Sequence, residues 1–431
     1  DAYLNAIQTM ETVQMKGKIT KVIGLVIESD GPSINMGELC YVYPRTDAPP
    51  LPAEVVGFRE NRVLLMPLGE MQGIGPGSEV VSSQRLLRVK VGRQLLGRIL
   101  DGLGNPIDGK GPLLCDCDYA VLNAPPAPLS RRRICEPVSV GIRAVDGLMT
   151  LGKGQRMAIL AGSGVGKSTM MGMIARNTSA DINVIALIGE RGREVLDFIE
   201  RDLGEEGLAK SVVVVSTSDQ PALLRIKGAN TATAVAEYFR DQGLDVMLMM
   251  DSLTRVAMAQ REVGLTIGEP PATRGYPPSV FAMMPKLLER SGTGEKGSIT
   301  GMYAVLVDGD DMNEPIADTV RSIVDGHIVL SRKLATQNHY PPIDILASLS
   351  RVMTEVIDQE HWQAAQRIRS LQATYQEAED LINIGAYSPG SNPEIDQAIA
   401  KNPAIRAFLR QGVMERATLA DTVAMMKQLV T

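Results

Sequence analysis

Ala161-Gly-Ser-Gly-Val-Gly-Lys-Ser168 lies directly between a continuous apolar run, Met157 to Leu160, and a helix-compatible stretch, Ser168 to Asn177. Glycines there permit φ > 0 turns that aim successive backbone N–H groups inward, making a concave anion site at a helix N-terminus, to which Lys167 adds a full positive charge. The segment reads as a P-loop. Gly162, Ser163, Gly164, Val165, Gly166, Lys167, Ser168 and Thr169 are the candidate ATP-binding residues, with Lys167 on the β- and γ-phosphates and the Ser168 hydroxyl directed at Mg²⁺. The stricter motif begins with Gly and this one with Ala161, a small departure. A glycine-rich turn that happens to carry Lys-Ser is the bland alternative, and the flanking strand and helix weigh against it.

Outward from the loop, apolar runs too short for helices recur at Asn183–Ile188, Val212–Val215, Val246–Met250, Met302–Val307 and Ile328–Leu330, separated by helical candidates such as Ala229–Gln242. Strand and helix in alternation predict a mostly parallel sheet covered on both faces, an α/β core. Hydrolysis needs more than phosphate binding. It requires a carboxylate near Mg²⁺ and a group that orients water. Asp251 ends the run Val246-Met-Leu-Met-Met and falls at the carboxyl edge of the sheet, where it is predicted to hold Mg²⁺ through bound water. Glu190 follows the run ending at Ile188 and is the better placed acid to orient and polarise the attacking water. Taken singly, each acid reads equally well as an N-cap or a surface carboxylate; together, behind a P-loop, they favour function.

Before the core, Met15 to about Ser83 consists of short apolar runs punctuated by Gly and Pro (Ile19–Ile27, Glu54–Gly57, Arg62–Leu68), which read as a small β-barrel or sandwich. Turn formers at Asp101–Pro106 and Ala124–Pro128 then lead to Arg131-Arg-Arg133, which reads as a solvated or interface-facing loop because three charges without interleaved aromatics are weak evidence for nucleic acid. Past residue 355 the strand pattern ends. Trp362, Ala365, Ile368, Leu371, Tyr375, Ala378 and Leu381 fall on one face of a helix stopping near Gly385, and Thr418-Leu-Ala-Asp421 fits a capping box opening a last helix. The expected domains are 1–83 (β-barrel, with 1–14 a partial N-terminal segment), 84–354 (ATP-binding) and 355–431 (helical).

Composition agrees with three globular domains at roughly 150 residues each. Of 431 residues, 44 are Lys or Arg and 50 Asp or Glu, so the net charge of −6 lacks the positive field of a dedicated nucleic-acid binder. Met, at 22, outnumbers the 16 aromatics, which predicts an aliphatic core with Met filling irregular gaps. Four cysteines in so long a chain make no disulfide framework, and Cys115-Asp-Cys117 lacks a second close pair of ligands for zinc. No apolar run reaches the roughly 18 residues of a membrane span, so a cytoplasmic protein is expected. The chain opens at Asp1 and not Met, which leaves room for a preceding segment.

The P-loop, Gly189-Glu-Arg-Gly-Arg-Glu194, Asp251-Ser-Leu-Thr-Arg255, Lys296-Gly-Ser-Ile-Thr300 and Pro341-Pro-Ile-Asp-Ile-Leu-Ala-Ser-Leu-Ser350 resemble the catalytic subunits of the rotary and secretion ATPases, a RecA-like group. The likeness covers essentially the whole chain, including the order barrel, P-loop core, helical domain. Asp310-Asp-Met-Asn-Glu-Pro-Ile-Ala-Asp318 and Asp325-Gly-His-Ile-Val-Leu-Ser-Arg332 resemble the type III export ATPases more than ATP synthase subunits, and Ile384-Gly-Ala-Tyr-Ser-Pro-Gly-Ser-Asn-Pro-Glu-Ile-Asp396 leans toward the flagellar members over the injectisome ones. The resemblance implies Mg²⁺-dependent ATP hydrolysis that energises protein export, with Glu190 as the catalytic carboxylate and Asp251 as the second acidic motif. Lys167, Arg191 and Arg255 would lie near the γ-phosphate and Tyr340 would stack on adenine. Arg351, which composition alone reads as an ordinary surface Arg, would be the finger that enters a neighbouring subunit's site.

A finger in trans makes the contact head to tail, which closes into a ring. The family implies a homohexamer at the cytoplasmic mouth of an export gate, peripheral at the bacterial inner membrane through its partners. Those partners are gate, stator and stalk proteins, exported proteins and their chaperones. Rival classes are a non-hydrolysing nucleotide-binding subunit, a hexameric nucleic-acid translocase, an injectisome ATPase and a catalytic subunit of a rotary synthase. Glu190 argues against the first. Against the second, Phe58 is the only aromatic from Glu54 to Ser83, where an oligonucleotide-binding barrel would expose several.

Overall fold

The computed structural model describes residues 14–46, 48–115, 117–307, 311 and 314–430. The expected N-terminal segment, and part of the motif that begins at Asp310, lie outside the described residues.

Six antiparallel strands close the first barrel: β1 (Lys16–Ile23), β2 (Val26–Asp30), β3 (Glu38–Tyr43), β4 (Leu51–Arg59), β5 (Arg62–Pro67) and β6 (Glu79–Leu86), in the order β1-β2-β5-β4-β3-β6. The apolar run Ile19–Ile27 is not one strand but a hairpin, because Gly24 takes φ +56°. Inside, Ile27, Val42, Ala53, Val55, Leu65 and Val80 make an aliphatic core. Val26, Leu64, Met66 and Leu68 face outward onto Ala222, Leu223 and Ile226 of the second domain, so alternate strand positions fill the barrel and glue it to its neighbour. A buried ion pair, Lys227 Nζ to Glu54 Oε2 at 2.5 Å, crosses the same seam.

The central sheet comprises β7 (Ile99–Asp101), β8 (Arg156–Ala161), β9 (Ile182–Ile188), β10 (Ser211–Ser216), β11 (Asp245–Asp251), β12 (Ser298–Leu306), β13 (Gly326–Leu330) and β14 (Ile343–Ser350). Its order is β14-β13-β8-β12-β11-β9-β10-β7, parallel throughout except for β14, and a short strand at Gly292–Thr293 pairs antiparallel with β12. Every residue of β9 and β10 is buried, which is why these strands are continuous apolar runs and not alternating ones. Helices α1 (Arg143–Leu148), α2 (Lys167–Asn177), α3 (Ala222–Asp241) and α4 (Leu253–Ile267) belong to this domain. α3 starts seven residues before the expected Ala229, behind Pro221. Met247, Met249 and Met250 of β11 and Met170, Met171 and Met173 of α2 are buried, the gap-filling role that composition predicts.

The last domain is helical: α5 (Gln359–Asn383), α6 (Pro393–Leu409) and α7 (Leu419–Val430). The predicted face of α5 packs inward through Ala365, Ile368, Leu371 and Ala378, but Leu381 is 48% exposed because the helix has by then run past its neighbours. Thr418 and Asp421 cap α7 as expected, with Asp421 N–H donating to Thr418 Oγ1 at 3.1 Å. One expectation fails in part. Arg132 and Arg133 are exposed, as expected of a solvated loop, but Arg131 is half-buried: it donates to the Ser291 carbonyl at 2.8 Å, and Arg132 donates to those of Gly294 and Lys296 at 3.1 and 3.0 Å, so together they tie the linker to the hairpin beside β12. Ile99–Asp101, leading into the turn formers that follow, is an edge strand paired with β10.

Candidate functional site

Ligand sites of open parallel sheets lie at the carboxyl ends of the strands, and β8, β9 and β11 end side by side there. The P-loop leaves β8 and turns into α2 through Gly164 at φ +75° and Gly166 at φ +94°, conformations that only glycine adopts without strain. Gly166 caps α2, and no side chain bonds its first-turn N–H groups, so they stay available to an anion.

Lys167 sits in the first turn of α2 between two acids. Its Nζ bonds the Asp251 carboxylate and lies 3.7 Å from Glu190 Oε1. Burial pushes the Glu190 carboxyl up to about 7, and the neighbouring Asp251 charge adds to the rise while Lys167 opposes it. Glu190 Oε1 is buried and accepts no hydrogen bond, and its backbone carbonyl is held by the Ser218 N–H at 3.0 Å. Arg255, one turn into α4, lies against Gly189, where an added Cβ would come within 2.7 Å of the Arg255 Cβ; its Nε is likewise buried without a partner. An orphaned acceptor and an orphaned donor therefore flank the P-loop, as a site built for a water and a phosphate oxygen requires. Oxygen-only donors, the Ser168 hydroxyl and the carboxylates of Asp251 and Glu190, suit a hard divalent cation such as Mg²⁺.

Beside the loop a cleft of about 280 Å³ is lined by Gly166, Thr169, Met170, Met173, Tyr340, Pro341, Pro342, Gln411 and Val413. It is largely apolar and flat-sided, and Tyr340, 46% exposed, forms one wall. Gln411 and Val413 come from the connection between α6 and α7. No motif marks them in the sequence, since they lie some 70 residues past Tyr340 and join it only by folding.

Not all the predicted cations gather here. The Arg191 side chain is 83% exposed, its nearest ionic partner being Glu194 at 3.8 Å. Arg351 lies elsewhere altogether. It follows β14, whose Ser350 pairs with Gly326 at the start of β13, and its N–H donates to the Asp325 carbonyl at 2.9 Å. That is the amino edge of the sheet. The P-loop stands at the far end of β8, roughly 17 Å along the strand at 3.3 Å per residue.

These features define a P-loop nucleotide-binding site on a RecA-like α/β core, carried between a barrel and a helical domain. Residues 141–350 match the ATP synthase alpha/beta family, nucleotide-binding domain; residues 19–84 match the beta-barrel domain of the same family; and residues 357–428 match the T3SS EscN ATPase C-terminal domain. The flagellum-specific ATP synthase of Bacillus subtilis is 55% identical over 99% of this chain and 98% of its own length. The assembled ATPase EscN from the enteropathogenic E. coli type III secretion system superposes with a TM-score of 0.91 at 46% identity, covering 96% of this chain and all of that one. A second structure, EscN with its central stalk EscO, gives 0.89 at the same identity, with the same 96% and full coverage. The chain belongs to the ATP synthase alpha/beta family, in its branch of flagellum-specific and type III secretion ATPases.

Proposed function

We propose that the chain hydrolyses ATP in a homohexameric ring to energise type III protein export, most closely the export of flagellar components. The arrangement of Lys167, Glu190, Asp251 and Arg255 carries this reading, because it joins a phosphate cradle to a poised carboxylate in one buried cluster. The P-loop N–H groups and Lys167 bind the β- and γ-phosphates, which draws Lys167 from the acids. Freed of its cation, Glu190 orients the attacking water and accepts its proton. Arg255 Nε is directed at γ-phosphate oxygens, Arg191 swings in from solvent, and Tyr340 stacks on the base. Mg²⁺, held by Ser168 and, through water, by Asp251, would supply neutralisation of the phosphate oxygens. Arg351 serves the site of the next subunit, since its own P-loop is out of reach.

The 55% identity to a flagellum-specific relative supports the flagellar assignment. The match to EscN bound to EscO supports a central stalk as partner, and gate, stator, chaperone and exported proteins follow from the same assignment. Among the described residues no helix is long and apolar enough to cross a membrane, so attachment at the inner face of the inner membrane is through those partners. Phosphate release from Mg-ATP tests the chemistry. Glu190→Gln is expected to bind ATP normally and to release phosphate about 10² to 10⁴ times more slowly; near-normal release by that variant would overturn the assignment.

A further inference from the structure

The helical domain reaches the nucleotide cleft through one segment, residues 410–416 between α6 and α7, and a buried cation from the core holds that segment in place. Arg143, at the start of α1, donates from Nε to the Phe408 carbonyl at 2.9 Å and from its two Nη groups to the Arg410 carbonyl and the Glu415 carboxylate. Its backbone N–H donates to Gln411 Oε1 at 2.8 Å. Gln411 is 4% exposed and uses both polar atoms of its side chain and its N–H: Nε2 donates to the carbonyls of Gly141 at 2.8 Å and Glu415 at 3.0 Å, and the N–H donates to the Tyr340 carbonyl at 2.9 Å. From α2, Arg176 adds a bond to the Val413 carbonyl at 2.7 Å.

The anchor itself is rigid. Asp146, wholly buried, accepts from the N–H groups of Val140 and Gly141 at 2.8 and 2.9 Å and from Ser139 Oγ at 2.6 Å. Gly141, at φ +73°, passes so near α2 that an added Cβ would lie 2.3 Å from Asn177 Cβ. A guanidinium this buried is tolerated only when its donors are satisfied, and here the acceptors are the segment that walls the cleft opposite the P-loop.

We propose that Arg143 is a positioning residue for nucleotide binding: its guanidinium, through the Phe408 and Arg410 carbonyls and Glu415, and its backbone N–H, through the Gln411 side chain, set the wall formed by Gln411 and Val413 at the right distance from Tyr340 to grip the base. The inference rests on Tyr340 stacking on the base. It touches no phosphate, so its signature is a loss confined to ligands that carry a base.

The test compares Arg143→Lys, which keeps the charge and loses the planar fork, with Gln411→Ala, which keeps Arg143. ADP affinity, KM and kcat for ATP, and inhibition by inorganic tripolyphosphate are measured on the assembled full chain. Both variants should weaken ADP and raise KM by on the order of tenfold, as expected for losing buried hydrogen bonds, with kcat within about threefold and tripolyphosphate inhibition unchanged. Unchanged ADP affinity in Gln411→Ala, or a parallel loss of tripolyphosphate, overturns the proposal; if Arg143→Lys does not fold, Gln411→Ala alone decides. Tyr340→Ala separates the two layers. If it leaves ADP affinity intact, the base-stacking assignment fails, whereas weakened ADP in Tyr340→Ala with wild-type behaviour in the other two refutes only the positioning role.

Discussion

The two edges of the central sheet carry charge in opposite ways. At the carboxyl edge Lys167 lies between two acids, bonded to the buried Asp251 and 3.7 Å from the half-buried Glu190, a closed set within a single chain. At the amino edge Arg156 is likewise answered by acids, Asp325 and Glu289, but Arg351, a few ångströms along the same edge, is exposed and, among the described residues, forms no ion pair; its Nη1 meets only a carbonyl, that of Val324, at 3.2 Å. One edge is poised for a ligand that brings its own charge, and the other holds a cation that, among the described residues, no acid of its own chain neutralises. The difference is what the proposed function requires of a site divided between copies: there, phosphate binding and water activation would belong to one chain, and the cation for the developing charge would come from the next. Because those two edges are different surfaces, such a contact would be heterologous, and its closure gives a ring.

The hardest blow to this picture falls on the unbalanced cation. Arg351→Ala should leave ATP binding near wild type and lower turnover by about 10³ to 10⁵, the range of arginine fingers elsewhere. A purified mutant ring with near-normal turnover would reduce Arg351 to a surface residue.

How much of this was legible in the sequence depends on distance along the chain. Lys167 and Ser168 could be assigned because strand, loop and helix are contiguous, and Glu190 and Asp251 because each closes an apolar run whose burial on both faces removes alternation. The fold class followed from those same runs, and the relatives bear it out. Arg351 carries no local signal; only the family resemblance singled it out, and its place at the amino edge depends on β14 running against its neighbours. Arg143 and Gln411 bond main-chain groups more than 260 residues away, which leaves no pattern of side chains to read. Arg131 misled for a related reason, since a charged side chain that bonds carbonyls looks the same in sequence as a solvated one.

A smaller effect distinguishes the balanced edge from an inert salt-bridge cluster. With Glu190 pushed up to about 7 by burial and by the Asp251 charge, against the pull of Lys167, the free enzyme loses its anionic base as pH falls through that value. Since kcat/KM reports the free enzyme, it should drop about tenfold per unit below pH 7 and level off above it. A flat profile across this range would show that Glu190 ionises well below 7 or is not needed as the anion.

The smallest effect is the most discriminating, because it separates division between chains from a finger that folds back on its own site. Arg351→Ala and Glu190→Gln chains are each nearly inactive alone. In a ring each site uses its own Glu190 and a neighbour's Arg351, so equal mixing makes an intact site wherever an Arg351→Ala chain receives the arginine of a Glu190→Gln chain. Random assembly puts that arrangement at about one site in four, so mixed rings should recover roughly a quarter of wild-type turnover if heterologous contacts are independent. If Arg351 served its own chain, every mixed site would lack one group or the other and no activity would return. The measurement is phosphate release after dissociating, mixing and reassembling the two variants, with wild-type chains put through the same cycle as the reference.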